Sequence, residues 1–288
     1  MWNVWQSGFV RSLILDGALL PAVVTMLMVV AAYYKTRKYP SWRNIIWGAA
    51  ILGGFLGGYA LLYRDLSFPP RTVLSWLPWL VLVGGTVVAM ADRHRYQWWR
   101  YGARGLIAGA SAFVLLWPIL RQESVPAAFL AWLTVAMLWS ILWFVLIPDQ
   151  RDQKPAGTTL FVGAVGLALV APLSGSILLA QFGAALAVAL VFSFLMRGSR
   201  WDSPSADVGV LILGTLMVDL RFYAGASMVV MVWLLVSLAA GAGVARILWH
   251  RGHSGHWTVL APGLISSLPM AVAGWMALQT YLASGGGY

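Results

Sequence analysis

Ten apolar runs of close to 20 residues follow one another along this sequence, separated by short segments that carry charged residues, proline or glycine. A helix of about 20 residues is about 30 Å long, which matches the hydrocarbon core of a bilayer. Lipid offers the backbone no hydrogen-bond partners, so each run is expected to form a transmembrane α-helix. The predicted spans are residues 10–34, 44–63, 72–91, 102–120, 127–147, 158–173, 175–196, 205–223, 226–249 and 257–283.

Composition supports the same fold class, an all-α polytopic transmembrane helix bundle. Hydrophobic residues make up 60% of the chain and charged residues only 10%, whereas about 25% of a typical soluble domain is charged. A soluble fold could not bury so much apolar surface, so we expect residues 1–288 to form a single integral membrane domain. The absence of cysteine excludes disulfides and thiolate metal sites.

One short segment decides between nine and ten spans. Residues 158–196 form a nearly continuous apolar stretch, about twice the length that one span needs. Pro172, Ser174 and Gly175 lie near its centre, and these residue types favour turns. A hairpin at this point gives ten spans, and its absence would give nine.

Lysine and arginine are distributed unevenly between alternate loops. Fourteen of the nineteen lie in or beside the first, third, fifth, seventh and ninth loops. The positive-inside rule places these loops in the cytoplasm, and an even number of spans then places both termini outside. Topology therefore accounts for the net charge of +10, and nucleic acid is not expected as a partner. The fourteen are Lys35, Arg37, Lys38, Arg43, Arg93, Arg95, Arg100, Arg104, Arg151, Lys154, Arg197, Arg200, Arg246 and Arg251.

Two of these basic segments, residues 35–43 and 92–104, are also rich in tyrosine and tryptophan. Such segments attract the anionic headgroups of membrane lipids, by about 1 kcal/mol for each basic residue near the surface. A soluble partner or a lipid-linked substrate are the alternatives. The aromatic residues are Tyr39, Trp42, Tyr96, Trp98, Trp99 and Tyr101.

Small residues and symmetry suggest how the spans associate. Gly53, Gly54, Gly57 and Gly58 form two overlapping GxxxG spacings in the second span, which favour close helix packing within the chain, in a homo-oligomer or with other membrane-complex subunits. Division of the chain into halves 1–150 and 151–288 gives five spans each. An odd number per half gives the halves opposite orientations, which is the arrangement of the inverted repeats in many secondary transporters, and this count is the evidence for such a repeat.

Acidic residues within or beside the spans are the main candidates for function. The apolar core of the eighth span is too short to cross a bilayer unless the helix includes one or both of the flanking acids, Asp207 and Asp219. Asp219 is interpreted as a proton or cation site with Arg221 as counter-charge or anion hook. The alternative places both residues at the outer interface, with Arg221 reaching towards the headgroups.

Asp16 is a second candidate acid, since it lies in the first span shortly before Pro21, which interrupts helical hydrogen bonding. Its alternative role is a favourable interaction with the helix dipole. Gln181 and Gln279 are uncharged polar residues that could line a substrate path or bond between helices.

His250, His253 and His256 recur at every third position in a glycine-containing loop. This spacing differs from the i, i+4 pair of helical zinc sites, and no acidic base accompanies it, so metal binding is a weak hypothesis beside pH sensing or a plain loop. The sequence has no P-loop, dinucleotide fingerprint or nucleophile elbow. No cofactor is expected, and an enzyme is the less favoured class.

These features favour a transporter or permease, coupled to protons or cations through Asp16 and Asp219. The alternative is a non-catalytic scaffold or anchor subunit of a larger membrane complex. Compact loops and the absence of a targeting segment favour a bacterial plasma membrane.

Overall fold

A computed structural model describes residues 19–38, 43–63, 69–70, 72–92, 96–147, 154–197, 203–251 and 257–284. The described residues form ten α-helices and no strand, which confirms the predicted all-α bundle. Seven of these helices are long and apolar enough to cross a membrane. The helices are α1 (Leu20–Lys38), α2 (Arg43–Tyr63), α3 (Val73–Ala91), α4 (Gln97–Leu120), α5 (Val125–Leu146), α6 (Lys154–Leu173), α7 (Ile177–Arg197), α8 (Ser203–Phe222), α9 (Met228–His250) and α10 (Trp257–Ala283).

The hairpin between α6 and α7 is present, so the prediction of ten helices rather than nine is correct. Gly175 has a φ angle of 90°, which is unfavourable for residues with a side chain. The Ser176 amide donates to the Ala171 carbonyl at 2.9 Å and closes the end of α6. The Ser176 hydroxyl then accepts a hydrogen bond from the Leu179 amide and caps α7.

Helix α4 begins at Gln97 rather than at residue 102. The predicted start of this helix was set where the apolar residues begin. A helix can continue beyond its apolar residues into the interface, because its backbone hydrogen bonds do not depend on side-chain hydrophobicity. Arg104 lay inside the predicted span but was counted with a basic loop, and that assignment was wrong, because Arg104 is buried within α4 with an exposed fraction of 3%.

Helix α8 is the centre of the bundle. It packs against α2 to α7 and α9, and every residue from Pro204 to Leu220 is buried. Its flanking acids, Asp207 and Asp219, are both part of the helix and have exposed fractions of 2% and 1%. The expectation that this helix must include its flanking acids is confirmed.

The glycine face of α2 is filled by α1. A Cβ atom on Gly54 would lie 2.9 Å from the Cβ atom of Thr25, and one on Gly58 would lie 3.0 Å from Pro21. Gly57 faces Val24 in the same way. The GxxxG spacings therefore serve packing within the chain, as small residues do where membrane helices approach closely.

A proline in α3 creates a further contact with α2. Pro78 has no amide hydrogen, so the Leu74 carbonyl loses its usual partner four residues later. The hydroxyl of Tyr59 in α2 donates to this carbonyl at 3.0 Å. The buried polar group is satisfied by another helix, which fixes the position of Tyr59.

Both predicted halves contribute to one continuous hydrophobic core. Helix α8 of the second half packs against α2, α3 and α4 of the first. The inverted-repeat relationship itself stays a prediction.

Candidate functional site

Asp219 lies in the last turn of the central helix α8 with its side chain buried. Among the described residues, neither of its carboxylate oxygens has a hydrogen-bond partner. A buried carboxylate that stays charged without a donor or counter-ion is strongly unfavourable. A proton or a bound cation could neutralise this group, which makes Asp219 the principal candidate for function.

Arg221 does not pair with Asp219. Its Nη1 atom donates to the Ala226 carbonyl at 3.1 Å, in the turn between α8 and α9. Residues two positions apart on a helix point in different directions, which explains the separation. The predicted counter-charge therefore stabilises the turn in this structure rather than the carboxylate.

Tyr223 follows α8 and lies close to Asp219. Its hydroxyl donates to the Leu115 carbonyl of α4 at 2.6 Å. Partial burial, together with the charge of Asp219, raises the pKa of Tyr223 to about 12. The phenol consequently remains protonated at neutral pH and keeps its hydrogen bond to Leu115.

Asp207, near the opposite end of α8, has a fully satisfied environment. Arg104 Nε donates to Asp207 Oδ1 at 2.9 Å, and Arg104 Nη2 donates to Oδ2 at 3.2 Å. The indole of Trp143 donates to Oδ1 at 2.6 Å. The two acids lie twelve residues apart, or about 18 Å along the helix axis, so they form separate sites. Asp207 is paired with an arginine, whereas Asp219 has no hydrogen-bond partner among the described residues.

A second ion pair lies at the Asp207 end of the bundle. Asp92 follows α3, and its Oδ1 atom lies 3.5 Å from Arg100 Nη1. Burial and the charge of Asp207 raise the pKa of Asp92, while Arg100 and Arg104 lower it, and the net shift is upward. This network was not predicted from the sequence, because both arginines were interpreted as topological signals. The only available signal was the position of Arg104 inside the predicted fourth span.

The other predicted polar residues do not converge on Asp219. Gln181 is buried in α7, but nine residues separate it from Leu190, which contacts Gly209 of α8. Nine residues correspond to about 180° around a helix, so Gln181 faces away from α8. Gln279 is exposed on α10.

His250 is exposed at the end of α9. Asp16, His253 and His256 lie outside the described residues. Within the described ranges, no group of three histidine or acidic residues could hold a metal ion. The weak metal hypothesis therefore gains no support from this part of the chain.

The basic aromatic segment that precedes and begins α4 is exposed. The rings of Trp98 and Trp99 stack at 4.6 Å and both are at least 46% exposed, as is Tyr96. Exposed tryptophan and tyrosine are typical of residues at a membrane interface.

The site as a whole combines a central helix, one buried acid with no hydrogen-bond partner in the described part of the chain and one buried acid held by arginine. The unpartnered acid can gain and lose a proton or bind a cation, whereas the paired acid is suited to holding α4, α5 and α8 together. No protein-family model matches the chain, and no curated protein has a significantly similar sequence.

Proposed function

We propose that this integral membrane protein is a secondary transporter or permease in which Asp219 couples transport to protons or cations. The observation that carries the proposal is the complete burial of this carboxylate, without a hydrogen-bond partner in the described residues, on the central helix. Ionisable groups at such positions in membrane proteins typically belong to ion paths or proton relays.

The environment of Asp207 makes the contrast informative. A purely structural acid is expected to be hydrogen-bonded like Asp207, which accepts bonds from Arg104 and Trp143. Asp219 has no such bonds among the described residues although it is just as buried. A function that needs a titratable group accounts for keeping this energetically costly residue.

The proposal is tested with purified protein in liposomes that contain a pH-sensitive dye, under an imposed membrane potential, with candidate solutes added in pools. Wild type is expected to show solute-dependent proton flux, and Asp219→Asn should abolish it. Glu123→Gln is the matched control, because Glu123 is exposed in the loop between α4 and α5. Asp16→Asn tests the second predicted acid.

Undiminished flux in Asp219→Asn would contradict the role of this residue. Absence of flux in every pool, with protein that is folded and co-purifies with stable partners, would instead favour a non-catalytic scaffold subunit. Packing of the GxxxG face inside the chain removes one feature that supported the scaffold.

The same proposal includes the membrane orientation. The basic loops are assigned to the cytoplasm of a bacterial cell and both termini to the outside. The exposed side chains of Trp98 and Trp99, beside Arg100, are proposed to contact anionic lipid headgroups. Asp219 then lies in the outer half of the bundle, where it would exchange protons with the exterior.

A further inference from the structure

Asp219 lies where the sides of α8 that face α2 and α3 meet, because it is about 20° around the helix from Val208, which a Cβ atom on Gly85 of α3 would meet at 3.5 Å. A Cβ atom on Gly48 of α2 would lie 3.5 Å from the Cβ atom of Pro204 in α8, which fixes the relative position of the two helices. Tyr59 lies eleven residues after Gly48 in α2, and Thr215 lies eleven residues after Pro204 in α8. Eleven residues are close to three full helical turns, so each residue faces within about 20° of the same direction as the residue from which it is counted. Asp219 follows one turn beyond Thr215. The two helices run in the same direction, so Tyr59 and Asp219 lie at neighbouring levels.

A row of aromatic rings from α2 and α7 lies at the level of Asp219. Tyr59 stacks on Phe182 of α7 with ring centroids 5.1 Å apart, and Phe55 lies 6.2 Å from Phe182. All three side chains are completely buried. Tyr63 continues the row towards the end of α2, with its ring 5.4 Å from that of Tyr59.

The hydroxyl groups of these tyrosines are directed to α3. Tyr59 donates to the Leu74 carbonyl, and the Tyr63 hydroxyl lies 2.8 Å from the Thr72 hydroxyl. Both hydroxyl groups therefore bond towards α3, and neither donates to Asp219.

These surroundings do not suit a hard metal ion. Calcium and magnesium are bound by about six or more oxygen atoms. Here the polar side chain nearest along the same face of α8 is Thr215, whose hydroxyl donates to the Leu211 carbonyl. A single carboxylate at the level of an aromatic row instead matches a cation whose charge is carried on an apolar body, since ring faces attract such cations.

We propose that this site binds a monovalent organic cation with an apolar body in exchange for the proton of Asp219. This inference rests on the proposed function and names its substrate class. The cation forms an ion pair with the carboxylate, and the displaced proton passes to water. One carboxylate cannot hold both at once, so exchange is one for one and electroneutral.

Few other titratable groups face this part of α8 within the described ranges. Tyr59 and Tyr63 belong to α2, and Tyr223 follows α8 itself. Arg104 of α4 and Asp92 after α3 lie at the other end of the helix, around Asp207. Proton release on cation binding is therefore assigned to Asp219.

The test measures binding of tetraphenylphosphonium to the purified full-length protein, with proton release followed in weakly buffered detergent solution. Wild type is expected to release about one proton for each bound cation. Over the pH range in which Asp219 is protonated in the free protein, its affinity for tetraphenylphosphonium should rise about tenfold for each pH unit. Asp219→Asn should release none and bind more than about tenfold more weakly, by loss of the charge pair. Binding without proton release, or equal binding by Asp219→Asn, would overturn the inference.

Variants of the aromatic row separate the rings from the acid. Phe182→Leu should weaken binding severalfold while the number of protons released per bound cation stays the same. Phe113→Leu, on an exposed surface of α4, is the matched control and should change neither quantity. Phe55→Leu, in the same row, should also weaken binding severalfold, which tests the row even if Phe182→Leu fails to fold. Weaker binding by Phe113→Leu than by Phe182→Leu would contradict the assigned position.

The liposome assay distinguishes failure of this inference from failure of the proposed function. Asp219-dependent proton flux with neutral or anionic solutes, combined with no tetraphenylphosphonium binding, would refute the substrate class and leave coupling intact. Flux that is insensitive to Asp219→Asn would refute both.

Discussion

Arg104 and Asp207 are separated by 103 positions in the chain, yet their side chains form a two-point ion pair that is almost completely buried. Arg104 also donates to the Ile147 carbonyl at the end of α5, at 3.5 Å. The pair therefore connects α4, α5 and α8 at one end of the bundle.

Replacing Arg104 with methionine should destabilise the protein by about 3–5 kcal/mol, because it leaves the Asp207 carboxylate buried without its cation. Thermal unfolding in detergent measures the effect. The double variant Arg104→Met, Asp207→Leu should recover much of the loss, since no buried charge remains. Arg121→Met, at an exposed position, is the control. If the single and double variants unfold at the same temperature, the pair does not contribute in this way.

Substitution of Gly54 by alanine should cost about 1–3 kcal/mol, because the added methyl group has no room beside Thr25. Gly274 of α10 has no atom within 4 Å of its would-be Cβ, so Gly274→Ala should be neutral or stabilising. Unfolding temperature and oligomeric state are measured together. A changed oligomeric state with unchanged stability in Gly54→Ala would place the glycine face between molecules instead.

Tyr59→Phe should cost about 1–3 kcal/mol, because the Leu74 carbonyl loses the hydroxyl that replaces its helical partner. In a Pro78→Ala background the new amide can bond to Leu74, so the same substitution should cost less. A double-mutant cycle of unfolding free energies measures this coupling. Additive effects of the two substitutions would show that Tyr59 and Pro78 act independently.

The raised pKa of Asp92 gives a prediction for pH dependence. The carboxyl group of Asp92 keeps its proton to a higher pH in the folded protein than in the unfolded chain. The free energy of unfolding therefore falls as the pH rises from 3.8, the ordinary pKa of this group, through its pKa in the folded protein. Asp92→Asn should therefore gain stability relative to wild type over this range. Unfolding temperatures at a series of pH values measure it, with Glu123→Gln as control. Parallel curves for wild type and Asp92→Asn would contradict the assignment.

Much of the fold could be predicted from short stretches of sequence. The α6–α7 hairpin followed from Pro172, Ser174 and Gly175, which act within a few residues of each other. The inclusion of Asp207 and Asp219 in α8 followed from the length that a helix needs to cross a bilayer. Both inferences depend on local conformation and on the solvent, which the sequence specifies directly.

The candidate site was predicted only in part. Asp219 was predicted as a candidate proton or cation site, with a position at the outer interface as the alternative, but pairing it with Arg221 relied on closeness in sequence rather than on helix geometry. Arg104 was missed because its partner lies 103 residues away. Nothing in a hydropathy pattern distinguishes an arginine that faces headgroups from one that is buried beside an acid.

The sequence by itself determined that this protein is a helical bundle, with ten helices among the described residues, because run length and backbone hydrogen bonding in lipid are decided within each segment. Only the tertiary structure decided that α8 lies at the centre and that α1 fills the glycine face of α2. It also decided which acid on α8 has an arginine, because such contacts depend on how distant helices pack against each other.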